Sequence, residues 1–424
     1  MDINEMIKEF KTPFYLYDIA ELNKRIEMMR DYQKEIGLCF AMKASPVLAG
    51  YIAPFVDRLE VCSPGEYEIC VRDKVSAEKI LVSGVNKTRE SMRRILSLGG
   101  AAGFFTMESP EHFEILEDVM CEIKEDATSI TNASSSPNVS SSPNGKLRIY
   151  IRLTSGNQFG VDKETLEELC EKVNTSQYME LIGIHYFSGT QKNLKKIEKE
   201  LTELTEYGKK LKEKFGKDFS LEYGPGLGID YFKEINTPLS HFNEEDMKGL
   251  MDIVEKTGLK DSYSDITFEY GRYIAATCGK YYTGVADVKT NDGTNYAILE
   301  GGLHQITYYG SMAGMKVPSI DYISKSSDST KMDEVQGELK NELQDYVLAG
   351  SLCSVNDILV RKVSLPKLDI GDSLCFNLTG AYSATEGIAL FLSRDLPAII
   401  VQGIDGKVAL VREHTETNIY NGGF

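Results

Sequence analysis

Eight short runs of apolar and β-branched residues punctuate residues 38–271: LCFAM (38–42), RLEVC (58–62), ILVSG (80–84), AAGFF (101–105), LRIYIRL (147–153), LIGIHYF (181–187), SLEYG (220–224) and ITFEYG (266–271). Between them lie longer stretches with helical spacing, such as SPGEYEICVRD (63–73), TRESMRRILSLG (88–99), SPEHFEILEDVMCEIKE (109–125) and the charged segment 192–215. Ser109 followed by Pro110 makes a good helix start, a capping hydroxyl with proline in the first turn. Eight strands separated by seven helical stretches predict a parallel (β/α)8 barrel. A doubly wound open sheet is the rival, but its phosphate-binding glycines follow the first strand, and here they follow the seventh.

From about 272 the texture changes to short alternating strands with turn signals: YYTGVADVK, NYAILEG, ILVRKVSLP, DSLCFNLTG and AIIVQGIDGKVALVR, the last reading as a hairpin around Gly403–Gly406. This predicts an all-β second domain. FYLYD (14–18) reads as a strand ahead of an amphipathic helix at 20–36 and is assigned to that β domain. The expected division is therefore 20–271 for the barrel and 1–19 plus 272–424 for the β domain. Residues 126–145, DATSITNASSSPNVSSSPNG, form a Ser/Asn/Pro insert too poor in apolar groups to offset its ordering entropy, and a mobile surface loop is expected. The Asn-x-Ser triplets at Asn132 and Asn138 mean nothing without a secretory signal.

Charge excludes some functions. With 47 Lys+Arg against 64 Asp+Glu the net charge is −17, the wrong sign for nucleic acid or an anionic membrane surface. No run approaches a membrane span, and MDINEMIKEFKTPFYLYD has no charged-then-apolar leader, so a cytoplasmic location is expected. Eight scattered cysteines without a CxxC fit reduced thiols, and no metal site is expected.

In a barrel of this kind chemistry sits where strands end, at the C-terminal rim. There fall Lys43, Arg152, His185, the turn Glu222-Tyr223-Gly224-Pro225-Gly226-Leu227-Gly228, Glu269 and Arg272. Alone, a rim lysine is a solvated residue, a lone histidine a structural one, and a glycine turn a turn. Together they supply an amine for an aldehyde, backbone N–H groups for a phosphate, and a carboxylate for a ring nitrogen. A phosphorylated aldehyde cofactor uses that set.

At these residues the chain resembles the fold-type III pyridoxal-phosphate decarboxylases, the group of diaminopimelate, ornithine and arginine decarboxylases, over roughly residues 12–412. The resemblance rests on TPFYLYD, AMKAS, EVCSPGEYEI, VSGVNKTRE, NQFGV, GIHYFSGTQ, EYGPGLGI, EYGR, GSLCSVND and GAY. It implies an alanine-racemase-like barrel plus β domain and pyridoxal 5'-phosphate as cofactor. The implied activity is loss of the α-carboxylate of an amino acid as CO2, leaving an amine. Lys43 would be the lysine bonded to the cofactor and His185 the ring stacked on it. Ser188, Gly226, Gly228, Arg272 and Tyr382 would surround the phosphate, with Glu269 on the pyridine nitrogen and Arg152 at the inner edge. Glu60 falls where ornithine decarboxylases carry an acidic residue, and Glu66 follows at a helix start. Cys353, the implied proton donor, would come from the second subunit of a homodimer with shared sites, and Asp357, Tyr309 and Arg272 would line the substrate.

Departures bear on the substrate. Diaminopimelate decarboxylases carry an acidic residue after the cysteine and an arginine in the region matching 301–314; here Ser354 follows Cys353, and 301–314 holds no arginine. The glycine turn reads Gly-Pro-Gly, losing one N–H. GIHYFSGTQ, EYGRYIAA and LFLSRDLP resemble antibiotic-pathway decarboxylases that act on carrier-tethered amino acids, so a carrier-protein partner is one expectation and free diaminopimelate the alternative. A racemase on the same fold would set an arginine against the ring nitrogen, where this chain has Glu269. A non-catalytic homologue fits poorly with intact Lys43, Glu269, Arg272, Cys353 and Tyr382. Cys62, Cys70 and Cys375 are expected as packing residues, His112, His241 and His414 on the surface, and LKKIEKELTELTEYGKKLKEKF as a solvated helix face.

Overall fold

The computed structural model describes residues 1–129, 145–232, 244–325 and 343–422. Most of the Ser/Asn/Pro insert, with Asn132 and Asn138, and also His241 lie outside them.

Two units are present. The first is a closed parallel barrel of eight strands: β2 (Gly37–Ala41), β3 (Arg58–Val61), β4 (Ile80–Val82), β5 (Phe104–Met107), β6 (Leu147–Arg152), β7 (Met179–Phe187), β8 (Ser220–Gly224) and β9 (Ile266–Tyr270). Strand β9 pairs back onto β2, Cys39 opposite Glu269, which closes the ring. Each of the eight strands overlaps an expected apolar run, although in AAGFF (101–105) the strand begins only at Phe104, after a helical turn at Gly100–Ala102, and the strands are buried because helices cover the sheet. Asp162 caps the helix Lys163–Thr175 and Asn193 caps the helix Leu194–Phe215, each accepting a backbone N–H. The barrel's N-terminal end is closed by a buried ion pair, Arg58 Nη1 to Glu222 Oε2 at 2.5 Å, with the Tyr150 hydroxyl at 3.1 Å. Burial drives the Glu222 carboxyl up to about 7 despite Arg58 beside it.

The second unit is a nine-stranded, mainly antiparallel sheet. Its main path runs β14 (Ile358–Leu365), β13 (Gln344–Ala349), β11 (Thr294–Leu299), β10 (Gly279–Asn291), β1 (Phe14–Asp18), β16 (Ala398–Gln402) and β17 (Val408–Arg412). Strands β15 (Ser373–Phe376) and β12 (Ile320–Ile323) add to β10 in that order. The N-terminal strand lies in this sheet, parallel to β16 and antiparallel to β10. Strands β16 and β17 form the hairpin expected around Gly403–Gly406.

The units divide between Arg25 and Ile26 and between Tyr273 and Ile274, and residues 229–232 group with the sheet, not with the expected 20–271 barrel. Aromatic packing is the physical reason: Tyr231 and Phe232 lie 5.7 and 6.1 Å from the Tyr308 ring, and Phe232 bridges to Pro318. Among the described residues no helix is long and apolar enough to cross a membrane.

Candidate active site

Lys43 sits in the single helical turn Met42–Ala44 that follows β2, so its side chain starts at the C-terminal rim. Its ammonium lies 3.0 and 3.2 Å from the two oxygens of Glu60, near the end of β3, and 3.8 Å from Glu269. Glu60 is buried and also accepts from the Ser83 hydroxyl and the Cys62 thiol, the latter at 3.0 Å. Cys62 was expected as a packing residue; it is half-buried and 3.8 Å from Lys43 Nζ, because the backbone turns out of β3 at that point. Burial first, then the Glu60 carboxylate, pushes its thiol pKa up, so it rests protonated. Cys70 and Cys375 are buried as expected.

Strands β6, β7 and β9 place Arg152, His185 and Glu269 on the same rim. Arg152 and His185 are register partners, both buried. His185 Nε2 is 3.2 Å from Glu269 Oε2. Burial alone would raise the Glu269 carboxyl, but the His185 hydrogen bond and the Lys43 ammonium outweigh it and hold the group well below the usual carboxylate range. Arg152 Nη1 donates to Glu108 Oε1 at 3.0 Å, while Glu108 Oε2 accepts the Gly160 N–H.

Next to Glu108 the structure corrects His112, expected on the surface. Its ring is buried, Nδ1 accepting the Glu108 N–H at 3.2 Å and Nε2 donating to the Val85 carbonyl at 3.1 Å. Burial, with the Lys87 ammonium nearby, lowers its pKa to about 4. Lys87 is itself buried on the Gly84 carbonyl and is lowered to about 8 by burial.

The turn after β8 carries Gly226 at φ +60°, where a Cβ would stand 2.2 Å from the Gly189 carbonyl oxygen; only glycine fits. A Cβ at Gly228 would meet Gln191 Oε1 at 2.9 Å. Ser188 lies behind this turn and Arg272 donates from Nε to Thr190 at 2.8 Å. Ser188 Oγ donates to Glu200 at 2.5 Å and accepts from Lys192 Nζ at 3.1 Å. The 194–215 segment therefore is not wholly a solvated face. Glu200 lies on the buried side with Ile197, Leu201 and Leu204, the positions three and four residues apart that share one face.

Four expected site residues belong to the sheet unit. Cys353 is exposed on the loop between β13 and β14. Tyr309 is half exposed, and Tyr382 adopts φ +66° in a turn that its carbonyl closes by accepting the N–H groups of Thr385 and Glu386. Asp357 is buried, its carboxylate accepting the N–H groups of Leu303 and Leu352, each at 2.8 Å. Gly302 and Gly350 leave the room it fills, since a Cβ on either would come within 2.5 Å of its Oδ2.

The residues that sequence reasoning missed, Ser83, Glu108, Lys192 and Glu200, share one trait: each is a polar partner of a residue it identified. Pyridoxal phosphate presents an aldehyde, a ring nitrogen and a phosphate, and the rim offers an amine, a buried anionic carboxylate and a glycine turn. His185 Nδ1 and Arg152 Nε are buried without a hydrogen-bond partner among the described residues, so the pocket keeps polar capacity for a further group. The donor set fits the cofactor.

Comparison with known proteins agrees. A family model described as "Pyridoxal-dependent decarboxylase, pyridoxal binding domain" matches residues 19–276. The chain is 28% identical to the L-glutamyl-[BtrI acyl-carrier protein] decarboxylase of Niallia circulans, over 97% of this chain and 93% of the relative. It is 25% identical to the diaminopimelate decarboxylase of Methanocaldococcus jannaschii over 97% and 91% of the two chains. The crystal structure of that enzyme with L-lysine superposes with a TM-score of 0.78, at 22% identity over 98% of this chain and 93% of the other. The chain belongs to the pyridoxal-dependent decarboxylases.

Proposed function

We propose that this decarboxylase acts on a carrier-tethered amino acid, one whose distal end presents no free ammonium and carboxylate. The observation that carries the reading is that the two positions matching the diaminopimelate clamp lack its charged residues. Residues 301–314 hold no arginine, and Ser354 replaces an acid beside Cys353. Three neighbouring cations are engaged: Arg361 Nε donates to the Ala313 carbonyl at 2.9 Å, Arg394 Nη2 donates to the Ser351 carbonyl at 2.9 Å, and Lys316 Nζ lies 5.1 Å from the Phe232 ring centroid. A buried charge without a partner is costly, so free diaminopimelate is disfavoured. The carrier-linked substrate named for the Niallia circulans relative supports the same choice.

Pyridoxal phosphate, when bound, supplies an aldehyde for covalent capture of an amine and an electron-withdrawing ring. Lys43 would be the amine that bonds the aldehyde, with Glu60 orienting it. Glu269, held anionic beside His185, would serve the ring nitrogen, and His185 would pack on the ring. Ser188, Gly226, Gly228, Arg272 and Tyr382 would hold the phosphate, and Arg152, fixed by Glu108, would border the ring. Cys353, supplied by the partner subunit of a homodimer, would deliver the proton to the substrate α-carbon after loss of CO2.

The test is a CO2-release assay of the purified holoenzyme on free amino acids and on aminoacyl carrier-protein thioesters. Faster release from a thioester than from any free amino acid is expected. Efficient conversion of free meso-diaminopimelate to lysine overturns the reading.

A further inference from the structure

Behind the glycine turn lies a buried ion pair that none of the roles above uses. Lys192 Nζ, with its side chain 1% exposed, donates to Glu200 Oε2 at 2.6 Å, to Ser188 Oγ at 3.1 Å and to the Gly224 carbonyl at 3.0 Å. Tyr223 donates its hydroxyl to the same Glu200 oxygen at 2.8 Å. The backbone of Lys192 is tied to the turn as well: its N–H donates to the Gly226 carbonyl at 2.9 Å, and it bridges Leu227 in parallel register. A Cβ on Gly226 would stand 2.9 Å from Lys192 Cε, so the lysine stem forms the floor of the turn.

Such a pair is costly to bury and is weak evidence for stability by itself, because two well-packed apolar side chains can replace one with little loss. What it provides here is geometry. One ammonium grips the residue that opens the turn, Gly224, and the hydroxyl of Ser188 on the neighbouring strand end. Pro225 has removed one backbone N–H from the turn, so its remaining donors must be held well.

We propose that Lys192, anchored by Glu200, is a positioning residue for the phosphate of the cofactor: it fixes Ser188 and the Gly224–Gly228 turn in the form that binds a phosphate dianion. The proposal rests on the reading that this turn takes the phosphate. The ammonium adds a fixed positive charge under the turn, and the carboxylate on its far side keeps that charge in place.

The test compares the affinity of the apoenzyme for pyridoxal phosphate with that for pyridoxal, which has the same ring and aldehyde but no phosphate. Affinities are read from cofactor absorbance on titration. Lys192→Met leaves the buried Glu200 carboxylate without its cation, a costly change for folding, so the double variant Lys192→Met/Glu200→Met is made beside it, with its melting temperature measured. The expected result for the folded double variant is an affinity ratio, phosphate form over free form, lowered at least about tenfold, with pyridoxal affinity unchanged within about twofold. Arg272→Gln checks the underlying reading. A ratio lowered by Arg272→Gln but unchanged in the double variant overturns the role of Lys192 alone. A ratio unchanged in both places the phosphate elsewhere, and both readings fall. Equal losses for pyridoxal and pyridoxal phosphate also overturn the proposal, since they mean general damage to the barrel.

Discussion

Asp357→Asn isolates the loop that presents Cys353. In the wild type the Asp357 carboxylate accepts two backbone N–H groups, those of Leu303 and Leu352, at 2.8 Å each, and its own carbonyl accepts the Gly350 N–H at 2.9 Å. Leu352 immediately precedes Cys353, so this side chain sets where the thiol loop begins. Hydrogen bonds to a charged group contribute about 1.5–3 kcal/mol each. Asparagine keeps one oxygen, so one bond survives in weaker neutral form, while its amide N–H2 opposes the other backbone N–H. The net loss comes to about 3 kcal/mol, or about a hundredfold in the local opening constant. Amide hydrogen exchange by mass spectrometry reads that change at Leu303 and Leu352, and kinetics should show a fall in kcat with little change in KM. Exchange unchanged within about threefold would refute the staple. A rise in KM alone, with exchange unchanged, would return Asp357 to substrate contact.

Four further outcomes are expected. Borohydride reduction of the holoenzyme should fix the cofactor on the Lys43 peptide, and Lys43→Ala should abolish turnover; a label elsewhere refutes the site. Glu269→Gln keeps size but removes the anion held low by His185 and Lys43, and kcat should fall about a hundredfold with KM little changed. Cys353→Ala should release CO2 slowly and divert part of the flux to pyridoxamine phosphate. Mixed with Lys43→Ala subunits it should regain about a quarter of wild-type activity, as random pairing gives one intact shared site per heterodimer; no recovery despite heterodimers would place the site within one chain. His112 has a folded pKa of about 4 against 6.5 unfolded, so the unfolded chain binds more protons between those values. Stability should be full above pH 6.5 and fall by up to about 3 kcal/mol as the pH drops to 4. His112→Gln should flatten that slope in acid denaturation, and an unchanged slope assigns it to other groups.

The fold was legible because its signals are local and repeated. A buried parallel strand flanked by helices reads as a continuous apolar run, and LCFAM, LRIYIRL and LIGIHYF are such runs. The N-terminal strand was placed correctly because FYLYD precedes a helix that has no barrel strand before it. The unit boundary was not legible. Tyr231 and Phe232 lie within the barrel's sequence span, and only their packing on Tyr308, more than seventy residues away in sequence, draws them to the sheet.

In the site the division follows burial. Residues at strand ends, Lys43, Arg152, His185 and Glu269, announce themselves through position, because a charged side chain just past an apolar run has few structural reasons to be there. Their partners do not. Glu200 sits in LKKIEKELTELTEYGKKLKEKF among eleven other charged residues, and in one dimension nothing separates the glutamate that faces Lys192 and Ser188 from those that face water. Helical phase was the one available signal: Ile197, Leu201, Leu204 and Leu211 define the inner face, and residue 200 falls on it while 198, 199, 203 and 206 do not. A buried carboxylate found by phase demands a cation nearby, because an unpaired one costs several kcal/mol. Lys192, two residues before the helix in the loop that follows β7, is that cation. The same logic joins Glu108 to Arg152 and Glu60 to Lys43. Charged residues in phase with an apolar face are therefore where the second layer of a barrel active site is written.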